Sequence, residues 1–241
     1  MRRWLWLTIL LAGSPSITFS DIGRTAMKGA AANSDGPIVV LGASYAGGWD
    51  LRSVAGTPVI NRGVAGQQSF EMLERFERDV VPARPRAVII WGFINDLFGA
   101  DPPHAQDALD RARDSYTRMI ELARQYGIEP VLATEVTIRP QDTWPEAFKS
   151  WIGFLRGKES YEDRINRQVL ETNHWLVQLG KAQNLFVLDL QAALAESTTV
   201  RRRREFTQDD GSHITQSGYA ALTAYATAVL KEHFATRQGG S

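Results

Sequence analysis

The sequence predicts one α/β domain: a three-layer α/β/α sandwich built on a central, mostly parallel sheet of five strands. Short apolar runs rich in Val and Ile recur along the chain, and each is separated from the next by a segment long enough to cross back over a sheet. The intervening segments place apolar residues at three- and four-residue spacings, as amphipathic helices do. Strands that alternate with helices in this way are typical of a parallel sheet covered on both faces.

The predicted strands are short apolar runs bounded by turn residues. The first, at residues 37–41, is a buried strand stopped by Gly42. The other four lie at residues 58–61, 87–91, 130–133 and 185–188. We expect the main helices at residues 69–80, 105–126, 164–183 and 215–234.

The N-terminal segment differs from the rest of the chain. Arg2 and Arg3 precede an apolar run over residues 4–12, and small and polar residues follow up to Ser20. This order is typical of a secretory signal peptide, and the run is too short to span a bilayer, although an uncleaved anchor is the alternative. We expect a signal peptide at residues 1–20, a linker at 21–36 and the domain at 37–236. The protein would then be secreted or periplasmic, without stable membrane insertion after signal removal.

The composition is that of an ordinary globular domain. Of the 241 residues, 44% are hydrophobic and 22% are charged, which is enough apolar material for a core. Lys plus Arg and Asp plus Glu both number 27, so the formal net charge is zero and we expect no nucleic-acid partner. The absence of cysteine excludes disulfides and a Cys nucleophile. The charge run at residues 201–204 predicts a solvated loop, with a binding patch as the alternative.

Polar and glycine residues follow three of the predicted strands. In such sheets, sites form outside the carboxyl ends of the strands. Ser44 follows the first strand, Gly66 the second and Asn95 the third. A serine hydroxyl, backbone N–H groups and an Asn amide can together attack a carbonyl and hold its oxyanion. Each residue alone also has an ordinary structural explanation, as a helix cap, a plain loop or a turn.

His213 is the best candidate for a general base. Asp210 precedes it by three residues, so the carboxylate can reach Nδ1 and leave Nε2 free to take a proton from a serine. The other three histidines are interpreted as structural. His104 and His233, in a loop and in the terminal helix, are taken to have no acid placed in this way, and His174 lies in a helical segment beside Trp175.

Together these segments resemble the SGNH or GDSL-type hydrolase family, whose blocks follow one another in the order Ser, Gly, Asn, then Asp and His. The resemblance spans nearly the whole chain after the signal segment. It implies the fold of that family, Ser44 as nucleophile, and Asp210 and His213 as the rest of a triad. It also implies an oxyanion hole made by the Ser44 and Gly66 N–H groups and the Asn95 amide.

The sequence departs from the family pattern in two places. Ala43 stands where the family usually has Asp before the serine, and that Asp is not the triad acid. In the third block Phe93 stands where the family often has Gly, and Gly92 lies one residue further back. The second departure puts the path of the loop at Asn95 in doubt.

The resemblance implies ester hydrolysis through an acyl-enzyme, with no metal or organic cofactor. The substrate is a small-molecule, lipid or carbohydrate ester, and the residues do not distinguish acyl esters, thioesters and acetylated sugars. An acyltransferase with a sugar hydroxyl as acceptor is the first alternative, and a non-catalytic binding module is the second. Residues 139–164 are rich in aromatic side chains and either wall the site or pack on the domain.

Overall fold

A six-stranded sheet forms the centre of the residues that the computed structural model describes, 33–139, 159–196 and 199–238. Its strands are β1 (Ile38–Gly42), β2 (Ser53–Val54), β3 (Thr57–Gly63), β4 (Ala87–Trp91), β5 (Glu129–Ala133) and β6 (Phe186–Leu188). They lie in the order β2-β3-β1-β4-β5-β6, and every neighbouring pair except β2 and β3 is parallel. The predicted α/β class and the mostly parallel sheet are confirmed.

The two central strands, β1 and β4, are apolar throughout because both faces of the sheet are covered there. All five residues of each strand are buried. In the register of the sheet, Gly42 at the end of β1 lies opposite Gly63 of β3 on one side and Trp91 of β4 on the other. The three strands therefore end at one level. The chain order reverses on either side of β1, which is where ligand crevices form in doubly wound sheets.

The sixth strand is the one difference from the predicted five. β2 has two residues and pairs antiparallel with the start of β3. The turn between them holds Ala55 and Gly56 at φ values of 50° and 86°. Turns of this kind usually contain Asn-Gly or Asp-Gly, so an Ala-Gly pair does not predict a hairpin. Two residues are also too few to show an alternating pattern.

The long helices lie where the sequence predicts them. The helices of the described residues are α1 (Ser44–Gly47), α2 (Ser69–Glu74), α3 (Phe76–Asp79), α4 (Ile94–Phe98), α5 (Ala105–Gln125), α6 (Tyr161–Gln183), α7 (Leu190–Leu194) and α8 (Gln216–Gln238). α6 begins earlier than predicted because the Ser160 hydroxyl caps it by accepting the N–H of Asp163.

The helix predicted over residues 69–80 is broken into α2 and α3 at Arg75. Only 3% of this arginine is exposed. Its guanidinium donates to the carbonyl oxygen of Gly42 at 3.0 Å and to Oε1 of Gln67 at 2.6 Å. A buried cation thus ties the end of β1 to the loop that follows β3, an arrangement that the apolar spacing of residues 69–80 does not reveal.

The chain that follows β5 makes its backbone hydrogen bonds with side chains of α6. The amide of Asn173 bonds to the N–H and the carbonyl of Glu135 at 2.8 and 2.7 Å. The amide of Asn166 bonds to the N–H and the carbonyl of Ile138 at 2.8 and 2.9 Å. The two asparagines lie two helical turns apart and so share one face of α6. Side chains of α6 thus satisfy the backbone N–H and carbonyl groups of two residues in this buried segment.

The predicted signal peptide and most of the predicted linker, residues 1–32, lie outside the described residues. Among the helices that are described, none combines the length and the apolar character needed to cross a membrane.

Candidate active site

Ser44 is separated from the end of β1 by Ala43 and opens the one-turn helix α1. The helix fits there because of glycines: a Cβ on Gly63 would lie 2.1 Å from the backbone N of Gly47, and one on Gly42 would lie 2.5 Å from the Cβ of Ala46. Ser44 is half-buried. N–H groups in the first turn of a helix have no partner within it, so the Ser44 N–H is not used by α1 itself.

His213 lies in a hairpin loop closed by a β-bridge between Thr207 and Ile214. Its Nδ1 is 2.5 Å from Oδ2 of Asp210. The other carboxylate oxygen, Oδ1, accepts the N–H groups of Ser212 and His213, both at 2.9 Å. Asp210 thus holds the backbone and the ring of the histidine together, and Nε2 is left for another partner.

The pKa of Asp210 lies below its ordinary value. Burial alone would raise it, but the hydrogen bonds from the His213 ring and from the N–H groups of His213 and Ser212 outweigh burial. The carboxylate is therefore ionised at neutral pH, as a group that orients an imidazole must be.

Tyr45 brings the His213 loop to the end of β1. Its ring meets the His213 ring edge-on, with centroids 6.3 Å apart and planes at 87°. Its hydroxyl donates to the carbonyl oxygen of Ser212 at 2.8 Å. Since Tyr45 adjoins Ser44, the two predicted residues lie in one neighbourhood. In the described part of the chain, the Ser44 hydroxyl and the His213 ring are not hydrogen-bonded to each other. Hydrogen bonds between a nucleophile and its base are often long until substrate binds.

Gly66 lies in the loop after β3, and Asn95 lies in the first turn of α4, which is hydrogen-bonded to that loop. Gly66 has a φ of +80°, and a Cβ there would meet nothing within 4 Å, so the backbone conformation rather than space favours glycine. Asn95 donates from Nδ2 to the carbonyl oxygen of Gln67 at 2.8 Å. One amide hydrogen of Asn95 is thus committed to the loop, and the second remains for a ligand.

Asp96 strengthens the same tie from inside the protein. Its carboxylate accepts the N–H and the hydroxyl of Ser69, each at 2.8 Å, at the start of α2. Burial raises the pKa of Asp96 to about 6 against these hydrogen bonds, which lower it. Consecutive side chains of α4 therefore fasten the loop that carries Gly66.

Glu135, which the sequence analysis did not single out, holds the unusual loop before Asn95. Its buried carboxylate accepts the indole N–H of Trp91 at 3.1 Å and the N–H of Phe93 at 3.2 Å, and the N–H of Ile94 also bonds to it. Burial raises its pKa to about 7, although these bonds act in the opposite direction. The N–H groups of Phe93 and Ile94, where the sequence departs from the family spacing, are thus satisfied by a carboxylate.

The charge run at residues 201–204 is only partly the solvated loop that the sequence predicts. Arg201, Arg203 and Arg204 are exposed, but Arg202 is completely buried. Its Nη2 donates to the carbonyl oxygens of Gly211 and Ser212, in the loop that carries His213. A pattern of four consecutive arginines does not indicate which of them turns inward.

The interpretation of His104 as lacking a well-placed acid is wrong. Asp101 precedes it by three residues, and its Oδ1 lies 2.6 Å from His104 Nδ1. The spacing of an Asp and a His therefore does not distinguish this exposed pair from Asp210 and His213. The distinction comes from Tyr45, whose ring contacts His213 beside the end of β1.

The remaining acids and histidines have structural partners or lie in solvent. Asp189 caps α7 and accepts the Thr134 hydroxyl at 2.9 Å. Asp209 is fully exposed, 3.7 Å from Arg204. His233 bonds through Nε2 to Glu129 at 2.7 Å. Within the described ranges, no group of three or more His, Asp and Glu side chains is arranged to hold a metal ion.

Most of the aromatic segment at residues 139–164 lies outside the described residues, but both of its ends are described. At one end, the N–H of Arg139 donates to the carbonyl oxygen of Gly211 at 2.8 Å. At the other end, Tyr161 stacks on Phe98 of α4 with centroids 6.5 Å apart. The two described ends of the segment therefore lie at the His213 loop and beside the helix that carries Asn95.

Comparison with known families identifies the fold and the class of protein. The model of the GDSL-like lipase/acylhydrolase family matches residues 36–221, which include Ser44, Gly66, Asn95, Asp210 and His213. The chain belongs to this family. Membership makes it a hydrolase, and it agrees with the resemblance drawn from the sequence.

Solved structures of GDSL-family proteins share the fold at low sequence identity. An acylhydrolase described as putative, from Bacteroides fragilis, is 21% identical, with 90% of this chain and 97% of that chain covered and a TM-score of 0.65. A GDSL-like lipase from Bacteroides thetaiotaomicron is 19% identical, with 88% and 95% covered and a TM-score of 0.64. A catalytic mutant of an acetylxylan esterase from Geobacillus stearothermophilus is 18% identical, with 79% and 91% covered and a TM-score of 0.57.

One curated protein matches the GDSL-family chain over a shorter stretch. It is an uncharacterized lipoprotein, YqeF, from Bacillus subtilis, and it is 29% identical over 80 residues. The match spans 33% of this chain and 33% of that protein.

Proposed function

We propose that this GDSL-family chain is a serine esterase that hydrolyses carboxylic esters of acyl or acetyl groups. Ser44 is the nucleophile, His213 the general base and acid, and Asp210 the group that orients the imidazole. The observation that carries the proposal is the 2.5 Å contact between Asp210 and His213 Nδ1, in a loop that Tyr45 holds beside Ser44. An acetylxylan esterase among the structures of similar fold supports an ester substrate.

The proposed reaction proceeds in two steps through an acyl-enzyme. Ser44 Oγ attacks the acyl carbonyl carbon while His213 Nε2 takes its proton, and the carbonyl oxygen becomes an oxyanion. His213 then gives the proton to the departing alcohol. In the second step, water attacks the acyl-serine, His213 takes a proton from the water, and the acid is released as Ser44 recovers its hydroxyl.

The proposed oxyanion hole consists of the N–H groups of Ser44 and Gly66 and the second amide hydrogen of Asn95. Donors held in place before the reaction stabilise the developing charge without reorganisation. The ties among Asn95, Gln67, Asp96 and Ser69 support such a fixed arrangement.

The test is labelling with a fluorophosphonate probe and hydrolysis of p-nitrophenyl butyrate. We expect the probe to modify Ser44, and Ser44→Ala to abolish both labelling and hydrolysis. Ser212→Ala is a matched control, because that serine lies in the same site. Labelling at another serine, with an active Ser44→Ala protein, would exclude Ser44 as the nucleophile. A product that forms only when an alcohol acceptor is added would identify a transferase.

We also propose that the chain is exported, with residues 1–20 as the signal peptide, 21–36 as a linker and 37–236 as the catalytic domain. The support is the order of charged, apolar and small residues at the N-terminus. The N-terminal sequence of the exported protein tests this division, since retention of Met1 would contradict it.

A further inference from the structure

Arg202 is buried at a place where no carboxylate balances its charge. None of its surface is exposed, and its Nε and Nη1 atoms make no hydrogen bond. Of the carboxylates in the described part of the chain, none lies within salt-bridge distance of it, whereas Arg201 and Arg204 beside it have such partners. Burying a cation in this way is unfavourable, and apolar side chains often serve stability at least as well. A direct ion pair therefore does not account for the burial of this arginine.

The groups that Arg202 does contact belong to the loop of the proposed triad. Its Nη2 donates to the carbonyl oxygens of Gly211, at 3.3 Å, and of Ser212. Its guanidinium lies 5.8 Å from the centre of the Tyr45 ring. The Tyr45 hydroxyl donates to the same Ser212 carbonyl at 2.8 Å. Two buried donors thus converge on one oxygen atom.

That oxygen belongs to the peptide group that leads into His213. The N–H at the other side of the same peptide group is the N–H of His213, which donates to Asp210 Oδ1 at 2.9 Å. The peptide group is therefore fixed through its oxygen by Arg202 and Tyr45 and through its nitrogen by Asp210. Its orientation sets the direction of the His213 Cα–Cβ bond, and so the place of the imidazole.

We propose that Arg202 is a positioning residue for His213: it fixes the Ser212–His213 peptide group so that the imidazole is directed at the Ser44 side of the site. The proposal rests on the proposed function, in which His213 transfers protons. Arg202 does not touch substrate, because it has no accessible surface. Its effect should therefore fall on the proton transfers of His213 and not on the oxyanion hole.

Two esters with the same acyl group and different leaving groups separate these effects. p-Nitrophenolate departs without a proton, whereas the ethoxide of ethyl butyrate needs one from His213. For both esters kcat/KM reports acylation, so a change in the rate of deacylation does not affect the comparison. A variant that misplaces His213 should lose more activity on ethyl butyrate than on p-nitrophenyl butyrate. A variant that is merely less folded should lose the same factor on both.

We expect Arg202→Met to lower kcat/KM on ethyl butyrate by about 10²-fold or more and on p-nitrophenyl butyrate by about tenfold. Its Tm should change little, because Met removes an unbalanced buried charge. Arg201→Met, at an exposed neighbouring position, is the matched control and should leave both rates unchanged. Equal losses on the two esters would overturn the proposal. If Arg202→Met does not fold, Tyr45→Phe removes the other donor to the same carbonyl and must show the same leaving-group pattern.

A second readout does not depend on esterase activity. The proton between His213 Nδ1 and Asp210 should give a low-field proton resonance, which we expect in the wild type and in Arg201→Met, and weakened or absent in Arg202→Met. An unchanged resonance in Arg202→Met would overturn the positioning role. If the wild type hydrolyses neither ester, the proposed function fails, and the resonance still decides whether Arg202 places the His213 pair.

Discussion

The two halves of the candidate site are each held by a buried ionisable side chain, a carboxyl group on one side and a guanidinium on the other. On the oxyanion side, the carboxylate of Glu135 collects N–H groups of the loop before Asn95. On the acid–base side, the guanidinium of Arg202 collects carbonyl oxygens of the loop before His213. In each case the buried side chain forms hydrogen bonds with backbone groups of an irregular loop, which no neighbouring strand or helix pairs.

The halves differ in their exposure. Asn95 is half-buried among fixed neighbours, whereas the side chains of Asp210 and His213 are 48% and 51% exposed. An oxyanion hole acts through donors that are in place beforehand, while a general base must exchange its proton with water. In the proposed mechanism, the more buried and hydrogen-bonded half is therefore the one where charge develops, and the more exposed half is the one where protons are exchanged.

The largest effect that should separate the halves is at Asp210. Asp210→Asn can keep an oxygen for the Ser212 and His213 N–H groups but then places an NH2 donor against His213 Nδ1. The imidazole is then held in the wrong tautomer, so we expect kcat to fall by about 10⁴-fold. Asp189→Asn and Asp209→Asn are the matched controls, because one carboxylate caps α7 and the other lies in solvent. Steady-state kinetics on ethyl butyrate provides the measurement. Losses of similar size at Asp209 and Asp210 would leave Asp210 without a special role.

A smaller effect should come from the oxyanion side, at Asn95. Asn95→Ala should lower kcat by about 10²- to 10³-fold with KM nearly unchanged. The loss should be the same for ethyl and p-nitrophenyl butyrate, because the oxyanion forms with both. Ser69→Ala is the control, since it removes a hydrogen bond to the same loop without removing a proposed donor, and it should lower Tm and reduce kcat much less than Asn95→Ala does. A folded Asn95→Ala protein with normal kcat would remove Asn95 from the oxyanion hole.

The smallest effect concerns the buried carboxylate itself. Burial raises the pKa of Glu135 to about 7 in the folded protein, against 4.5 for an ordinary Glu. The folded state then binds the proton more tightly than the unfolded state. The stability that this group contributes is fully present below about pH 4.5 and is lost as the pH rises through about 7.

Glu135→Gln should therefore gain stability relative to the wild type, on the order of 3 kcal/mol, between pH 4.5 and pH 8. Urea unfolding of both proteins at several pH values measures this difference. Exposed Glu232, changed to Gln, should show no comparable trend. A constant difference between wild type and Glu135→Gln over this range would mean that Glu135 does not change its protonation there. The kcat loss in Glu135→Gln should be smaller than in Asn95→Ala.

The parts of the site that the sequence predicts are those that follow strand ends. Ser44, Gly66 and Asn95 could be found because parallel strands end at one edge, and because the family order of blocks is present. The Asp210–His213 hydrogen bond was predicted from a three-residue spacing, and the structure confirms it. The same spacing at Asp101 and His104 shows that the spacing alone is insufficient.

The buried positions of Glu135 and Arg202 could not be predicted from the sequence, and the reason differs between them. Glu135 is a lone carboxylate within the apolar and β-branched stretch that follows β5. This pattern could have indicated a buried acid. The sequence does not indicate that Arg202 is buried, because its neighbours in the run are also arginines. Its direction depends on the bridge between Ala195 and Arg202 and on contacts with a loop further along the chain.

The distance between the two asparagines on α6 matches the length of the segment after β5. Seven residues of helix rise about 10.5 Å, and three residues of fully extended chain span about 10 Å. Asn166 and Asn173 can therefore engage Ile138 and Glu135 together only while the segment is nearly straight and the helix has its present length between them. Inserting a single residue between the asparagines would turn one of them by about 100° around the helix and away from its partner. Helix length in α6 is thus a constraint that amino-acid substitutions do not test and that insertions and deletions do.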